Sequence, residues 1–187
     1  PGKLVEFAAI LEGSGVELAS LADFPDMPDI PEDGATFVEN ALIKARGACA
    51  YTGCVSLADD SGLVVDALGG LPGIKSARFA PTTEERNAKL LGLLDDVPDH
   101  LRTARFVCAL ALVRPDSFFW TAEGVCEGVI AHAASGNSGF GYDPLFVYLP
   151  LGLTFAEIPA AEKNRISHRG RALELFARAV REDHILG

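Results

Sequence analysis

The sequence lacks the features of a membrane or secreted protein. No hydrophobic run approaches the roughly 20 residues that a membrane-spanning helix needs, and no signal peptide is visible. The cysteines are few, and they do not have the paired spacing of a zinc site or a disulfide framework. We therefore expect a cytoplasmic protein with no membrane partner, whose reduced cysteines lie in the core: Cys49, Cys54, Cys108 and Cys126.

Positive charge is also scarce. The sequence has 16 Lys and Arg against 26 Asp and Glu, for a formal net charge of -10. Binding to a nucleic-acid backbone depends on neutralising its phosphates, so this balance argues against a nucleic-acid partner. The Walker A pattern Gly-x-x-x-x-Gly-Lys-Ser/Thr is absent as well, which removes the sequence signature of P-loop kinases and motor ATPases.

No internal repeat, low-complexity tract or long linker divides the sequence. Hydrophobic residues make up 49% of its 187 residues. A chain of this length can bury roughly 70% of the surface that it exposes when unfolded. We therefore predict a single domain over residues 1–187.

The sequence begins Pro1-Gly2-Lys3 and continues directly into a helical pattern with Phe7 and Leu11 on one face. An α/β domain usually enters such a helix from a strand, so we expect the natural chain to extend further upstream. Gly2 and Lys3 would then close a strand-to-helix loop. The free amides of a helix N-terminus and the charge of Lys3 suit a phosphate group there.

The most distinctive stretch is residues 56–62, where an apolar run ends in Asp59, Asp60, Ser61 and Gly62. We predict a buried strand that carries the two carboxylates to its tip, with Asp59 and Asp60 on opposite faces because side chains alternate along a strand. Carboxylate oxygens are the ligands that Mg²⁺ prefers. An ordinary strand-end turn explains the same residue types, since Asp, Ser and Gly are common turn formers.

Capping boxes beginning at Thr36 and Thr82 predict two helices. The first should bury Val38, Ala41, Leu42, Ala45 and Cys49, with Phe37, Asn40 and Lys44 on another face. The second should bury Ala88, Leu91 and Leu94. β-rich patterns predict strands at residues 16–21, 105–113, 118–122 and 125–131, with a hairpin turn at residues 114–117.

Two polar segments near the C-terminus are further site candidates. Residues 135–144 contain three glycines with Phe140 and Tyr142, whose rings offer faces on which a base could stack. Residues 162–170 gather basic side chains before a helix with Ala172, Leu173, Phe176, Ala177 and Val180 on its buried side. A long hairpin turn and a solvated helix entrance are the simpler interpretations of these two segments.

Taken together, these segments resemble the inosine triphosphate pyrophosphatase family, also called the Ham1-like family. The resemblance spans nearly the whole chain and rests on the order of its motifs: residues 2–3, 36–41, 58–63, 69–73, 76–78, 139–144 and 167–170. It implies an α/β fold with an elongated mixed β-sheet, flanking helices and two lobes around a central cleft. It also implies a homodimer that uses Mg²⁺ to convert a purine nucleoside triphosphate to the monophosphate and pyrophosphate. The substrates favoured in the family are the inosine and xanthosine triphosphates and their deoxy forms.

The resemblance also implies roles for individual residues. Asp60 matches the proton acceptor and a metal ligand, and Glu32 matches a second metal ligand used by some members. The positions that match substrate contacts are Gly2, Lys3 and Lys44 on the phosphate side, Ser61 beside Asp60, Phe140, Gly141, Tyr142 and Asp143 in the base loop, and Lys163, His168 and Arg169 around the pocket. The Thr- or Ser- and Asn-containing phosphate loop that members carry before the Gly-Lys pair does not occur in this sequence; we expect it upstream.

The chemistry agrees with these assignments. Asp60 beside a metal would orient and deprotonate a water for in-line attack on the α-phosphorus, while lysines stabilise the developing charge. Two alternatives stay open: a pyrophosphatase for another modified nucleotide, and a protein that binds a nucleotide without hydrolysing it.

Overall fold

The computed structural model describes residues 7–8, 11–13 and 15–186. Of the predicted first helix, Phe7, Ala8 and Leu11 are helical, whereas the predicted phosphate contacts Gly2 and Lys3 lie outside the described residues. Within the described ranges, no helix combines the length and the apolar character needed to cross a membrane.

Within the described residues, a five-stranded sheet forms the centre of the fold, with the strands in chain order and every neighbouring pair antiparallel. Its strands are β1 (Ser56–Val65), β2 (Thr103–Val113), β3 (Phe119–Ile130), β4 (Phe146–Tyr148) and β5 (Leu153–Thr154). The predicted hairpin turn is confirmed, because the amide of Arg114 donates to Phe118 and that of Ser117 donates to Arg114. β1 is thus the outermost strand on one side of the described sheet.

Two strand predictions were wrong at their ends. Asp59 and Asp60 lie in the middle of β1 and not at its tip, because β1 pairs with β2 continuously from Ser56 to Val65. The strands predicted at residues 118–122 and 125–131 are one strand, β3, which runs through Gly124. A Cβ atom at Gly124 would lie 2.0 Å from the carbonyl oxygen of His168. The lack of a side chain at Gly124 therefore lets the helix that begins at His168 pack against the sheet, and the strand continues through this glycine.

Beyond the helical residues near the N-terminus, four helices accompany the sheet in the described part of the chain: α1 (Phe37–Thr52), α2 (Thr83–Leu93), α3 (Ala160–Ile166) and α4 (His168–Glu182). Both predicted N-caps are confirmed, since Thr36 accepts from the amide of Glu39 and Thr82 accepts from that of Glu85. The Glu39 carboxylate bonds to the amide of Ala35 and so does not complete a capping box with Thr36.

The helices cover both faces of the sheet. α1 packs on one face with Ala109 and Ala111 of β2, and α4 packs on the other with Leu110 and Leu112. A third hydrophobic cluster joins Phe106 to α2 and the C-terminal loops. The α/β fold with flanking helices predicted above is confirmed, with an antiparallel sheet among the described strands where the resemblance implied a mixed one.

Several predicted burial patterns need correction. On α1 the buried residues are Phe37, Asn40, Ala41, Ala45 and Cys49, so the face toward the sheet is rotated from the predicted one. Asn40 is buried because its amide reaches Asp60. Elsewhere, Ala88 and Cys54 are exposed and Leu90 is buried, while Ala177 and Val180 are only partly buried.

The strand predicted at residues 16–21 is absent. Residues 16–20 are irregular, and Leu21–Asp23 forms a 3₁₀ turn. The local cause is Ser20, whose hydroxyl accepts from the amide of Ala22, while the carboxylate of Asp23 accepts from the Ser20 amide at 2.7 Å. Such side-chain bonds to the backbone compete with a strand ladder.

Candidate active site

The two carboxylates on β1 point to opposite faces of the sheet, as their alternation predicted. Asp60 faces α1, where it accepts from Lys44 and Asn40. Asp59 faces α4, where its Oδ2 lies 3.5 Å from the Nη2 of Arg169. Both carboxylates belong to β1, the outermost described strand. This strand therefore contacts two sets of polar residues, one on each of its faces.

The first set, the Asp60 cluster, consists of Glu32, Lys44 and Asp60. The Nζ of Lys44 lies 2.9 Å from Oδ1 of Asp60 and 3.2 Å from Oε1 of Glu32. Burial acts to lower the pKa of Lys44, but the hydrogen bond and charge of Asp60, joined by Glu32, outweigh it and raise that pKa above its ordinary value. Lys44 is therefore a firmly charged ammonium shared by two carboxylates.

Two contacts of the Asp60 cluster were not singled out from the sequence. Asn40 donates to Oδ2 of Asp60 at 3.2 Å, and Arg78 donates to Oε2 of Glu32 at 3.2 Å. A sequence signal existed for Asn40, because it precedes Lys44 by four positions and residues so spaced share a helix face. Arg78 lies in the motif at residues 76–78, but no local spacing connects it with Glu32, which is 46 residues away.

The Asp60 cluster fits a divalent cation that arrives with a phosphate. Among the described residues, no group of three or more His, Cys, Asp and Glu side chains is arranged to hold a metal. Mg²⁺, however, is commonly bound by one or two carboxylates together with waters and substrate phosphate oxygens. Asp60 and Glu32, which meet at Lys44, supply such a pair.

A cavity of about 560 Å³ opens beside this cluster. Lys44 and Asp59 line it together with Phe24 and Ile30 from the loop that precedes α1. Its volume is within the ordinary range of small-molecule sites, roughly 300 to 1,000 Å³.

The second set, the Asp143 cluster, consists of Asp143, Lys163, His168 and Arg169. Oδ2 of Asp143 accepts from Lys163 at 2.6 Å and from the amide of Phe140 at 2.7 Å. The Phe140 ring is exposed, with Nζ of Lys163 5.2 Å and Cζ of Arg169 5.9 Å from its centroid. The loop that contains Phe140 thus presents one exposed aromatic ring next to two cations.

His168 is buried at the start of α4 and stacks on Phe106 with ring centroids 4.8 Å apart. Burial, reinforced by the charges of Arg169 and Lys163, lowers its pKa to about 3, so the ring is neutral at neutral pH. Within the described structure, its Nδ1 and the Oγ of Ser61 are buried without a hydrogen-bond partner. Such atoms are rare in folded proteins, and a bound ligand is one way to satisfy them.

The remaining predicted base-loop residues face inward. Tyr142 is buried, and its hydroxyl donates to the carbonyl of Ser76 at 3.0 Å. The carbonyl of Gly141 accepts from Nδ2 of Asn87 on α2 at 3.2 Å. Phe140 is therefore the aromatic residue of this loop that offers an exposed ring.

Comparison with known proteins identifies the family. A model of the Ham1 family matches residues 1–179. The chain belongs to the Ham1 family. Relatives named dITP/XTP pyrophosphatase include proteins of Geobacter sulfurreducens, 52% identical over 98% of this chain and 92% of theirs, and of Geobacillus kaustophilus, 54% identical over 92% of this chain and 86% of theirs.

Solved structures of Ham1 proteins share the fold. A HAM1 protein from Coxiella burnetii is 42% identical, with a TM-score of 0.92 over 97% of this chain and 94% of that one. The Staphylococcus aureus Ham1 protein is 35% identical, with a TM-score of 0.91 over the same shares of the two chains. The family predicted from the motif order is confirmed.

Proposed function

We propose that this chain is a Mg²⁺-dependent nucleoside triphosphate pyrophosphatase for non-standard purine nucleotides. It converts dITP, XTP and ITP to the monophosphate and pyrophosphate and so removes them from the nucleotide pool. The observation that carries the proposal is the Asp60 cluster, where a carboxylate, a second carboxylate and a shared ammonium meet on a strand of a Ham1-family fold. The relatives named dITP/XTP pyrophosphatase support the substrate class.

Asp60 is the proposed general base. A triphosphate resists hydrolysis because its negative charges repel a nucleophile, so its enzyme must activate water and offset charge. The Asp60 carboxylate can orient a water and accept its proton, and the nearby Lys44 can stabilise the charge that develops on the phosphate oxygens. Asp60 and Glu32 would hold Mg²⁺, which supplies Lewis-acid stabilisation of phosphate oxygens when bound. Gly2 and Lys3 are proposed as further phosphate contacts.

The Asp143 cluster is the proposed base site. The exposed Phe140 ring can stack on any base, because every base has an aromatic face. Hypoxanthine and xanthine carry a 6-oxo acceptor where adenine carries an amino donor, so donors from His168 or Arg169 favour the first two. The neutral His168 has one ring nitrogen able to donate. Ser61, whose Oγ has no hydrogen-bond partner among the described residues, is a further proposed contact on this side, whereas Gly141 and Tyr142 bond to Asn87 and Ser76.

The test is hydrolysis of a nucleotide panel with and without Mg²⁺, followed by release of pyrophosphate. We expect turnover of dITP, XTP and ITP well above that of ATP and GTP, and loss of turnover when EDTA removes the metal. The Asp60→Asn variant is the matched control for a contaminating enzyme. Preference for a different modified nucleotide, or tight binding without turnover, would replace this proposal with one of the two alternatives.

We also propose that residues 1–187 act as one unit in a cytoplasmic homodimer that binds neither nucleic acid nor membrane. The free cysteines, three of them buried, support a reducing compartment. Light scattering coupled to size-exclusion chromatography tests the dimer, with a monomer mass as the contrary result.

A further inference from the structure

A chain of hydrogen bonds joins the base loop to the strand that carries Asp60. The hydroxyl of Tyr142 in the base loop donates to the backbone carbonyl of Ser76 at 3.0 Å. The hydroxyl of Ser76 accepts from the amide of Leu63 on β1 at 2.9 Å and donates to the carbonyl of Gly73 at 2.6 Å. Leu63 lies three positions after Asp60 in the same strand.

The turn that contains Ser76 lies directly against β1. It is the 3₁₀ segment Gly73–Arg78, and it packs closely against Gly62. A Cβ atom at Gly62 would lie 2.5 Å from the carbonyl oxygen of Gly73 and 2.6 Å from Oγ of Ser76. The absence of a side chain at Gly62 therefore lets the turn contact the strand two positions after Asp60.

Both side chains of this connection are buried. Tyr142 is 4% exposed and Ser76 is 7% exposed. Burial raises the pKa of Tyr142 to about 12, so its hydroxyl stays protonated and keeps its role as donor. Hydrogen bonds shielded from water in this way are stronger electrostatically than exposed ones.

We propose that Ser76 and Tyr142 are positioning residues that set the distance between the base-holding loop and the catalytic strand. This inference rests on the proposed function, in which the loop binds the base and Asp60 activates water. A base held by the loop then places the α-phosphate at a defined distance from Asp60, because loop and strand are bonded through one buried turn. Tyr142 thus serves catalysis through Ser76 and not by stacking on the base.

Positioning of this kind affects turnover more than binding. The base is bound far from the reacting phosphorus, and its binding energy accelerates the reaction only if the connection between the two ends is rigid. A misplacement of about 1 Å at the reacting atoms can cost as much as about 100-fold in rate. If the link is loosened, the loop still binds the base, whereas the phosphate samples positions that are wrong for attack.

The test compares two Tyr→Phe variants that each lose one hydroxyl. Tyr142→Phe breaks the bond to Ser76. Tyr148→Phe, in β4, is the matched control, because Tyr148 packs against the same hydrophobic cluster and its ring lies against Phe155 with centroids 6.4 Å apart. For each variant we would measure kcat and KM for dITP, the Kd of the product dIMP by calorimetry, and the midpoint of urea unfolding.

We expect Tyr142→Phe to lower kcat by about 10-fold or more while KM for dITP and Kd for dIMP change by less than about 3-fold. Tyr148→Phe should match the parent in all of these. A Tyr142→Phe enzyme with the parent's kcat would overturn the proposal. So would a fall in kcat accompanied by an equal weakening of dIMP binding, since that pattern means the hydroxyl supports the base site itself.

A second variant tests whether the two residues act in series. Ser76→Ala removes the hydroxyl that bonds to β1, and links in series fail together, so the double variant Ser76→Ala/Tyr142→Phe should be no slower than the worse single variant. Losses of kcat that multiply would show two independent effects and reject the link. If Ser76→Ala does not fold, the kinetics of Tyr142→Phe alone decide whether the proposal holds.

Parent enzyme that does not hydrolyse dITP would refute the proposed function, whereas an active parent, an inactive Asp60→Asn and an unchanged Tyr142→Phe would refute only this inference.

Discussion

The Asp60 cluster and the Asp143 cluster both pair a lysine with a carboxylate, but in different surroundings. The side chains of Lys44 and Asp60 are 23% and 12% exposed, and Lys44 is shared with Glu32. Those of Lys163 and Asp143 are 15% and 4% exposed, and Asp143 also accepts from the amide of Phe140. The first pair is the more exposed of the two, whereas the second has an almost fully buried carboxylate that also bonds to the backbone of its loop.

This difference has a physical consequence. An ion pair in contact with water contributes little to stability, typically below about 1 kcal/mol, so its members can exchange partners when a ligand binds. Removing one member of a buried pair leaves an uncompensated charge in a poorly solvated place, which costs much more. We therefore expect substitutions in the Asp60 cluster to change turnover and substitutions in the Asp143 cluster to change stability and base choice.

The largest expected effect is at Asp60 itself. Asp60→Asn keeps the volume and removes the proposed base, and losing a positioned base typically lowers the rate by about 10² to 10⁴. Asp59→Asn is the matched control, because Asp59 is the neighbouring carboxylate on the opposite face of β1. Steady-state pyrophosphate release measures both. A larger loss at Asp59 than at Asp60 would reverse the assignment, and near-parent activity of Asp60→Asn would exclude it as the base.

Lys44→Met should also act on turnover. The change keeps most of the aliphatic stem and removes a charge that we propose lies near the scissile phosphates, where removing a single stabilising group typically costs about 100-fold in kcat. Its effect on the free energy of unfolding should be smaller than that of Lys163→Met, because Lys44 and Asp60 are both more exposed than Lys163 and Asp143. Kinetics and urea denaturation check the two halves of this prediction. Unaltered kcat and KM would mean that Lys44 is only a surface lysine.

Lys163→Met should have the opposite profile. It leaves the buried Asp143 carboxylate without its cation, which we expect to lower the free energy of unfolding by about 3 kcal/mol. The double variant Lys163→Met/Asp143→Asn should recover part of that loss, since the uncompensated charge is then gone. Urea denaturation of the single and double variants measures this. Equal destabilisation by Lys163→Met and Lys44→Met would remove the distinction between the clusters.

The neutral His168 predicts a pH dependence of stability on the base side. Its pKa is about 3 in the folded protein against about 6.5 in the unfolded chain, so between these values the unfolded chain binds more protons. Stability should therefore be full above pH 6.5 and fall by up to about 1.4 kcal/mol per pH unit as the pH drops toward 3. His168→Gln should flatten this slope. A parent and variant that lose the same stability between pH 7 and pH 5 would contradict a neutral buried ring.

The smallest expected effects concern base choice. Arg169→Ala should reduce the preference for ITP over ATP, because a donor to the 6-oxo group is lost. Phe140→Ala should weaken both substrates alike, by roughly 1 to 3 kcal/mol of stacking. The ratio of kcat/KM values for the two nucleotides separates these outcomes. If Arg169→Ala slows both nucleotides equally, the residue serves the phosphates or the contact with Asp59.

Sequence patterns correctly predicted the structural features that depend only on neighbouring residues. The N-caps at Thr36 and Thr82 are confirmed because an N-cap is completed within three residues of its start. The opposite directions of Asp59 and Asp60 are confirmed because alternation is a property of any extended strand. The hairpin turn at residues 114–117 is confirmed for the same local reason.

Contacts distant in sequence account for the errors. From the sequence, a strand was predicted to end near Gly124. In the structure, the lack of a side chain at Gly124 instead leaves room for the backbone of His168, which is 44 positions away. Asn40 was predicted to lie on a face of α1 other than the buried one, yet it is buried against Asp60. The ring of Tyr142 was predicted to offer a face for stacking on a base. In the structure, its hydroxyl donates to the carbonyl of Ser76, 66 positions earlier.

By itself, then, the sequence determined the family, the residue types of the site and the two faces of β1, because motif order and strand alternation are written along the chain. Only the tertiary structure decided that the carboxylate beside Lys163 is more deeply buried than the one beside Lys44, that Asn40 and Arg78 contact the Asp60 cluster, and that a turn through Ser76 joins the loop of Tyr142 to β1. The reason is that burial and long-range hydrogen bonds depend on how separate elements pack. A lysine next to a carboxylate can serve turnover or stability, and we expect the exposure of the pair to solvent to determine which of the two it serves.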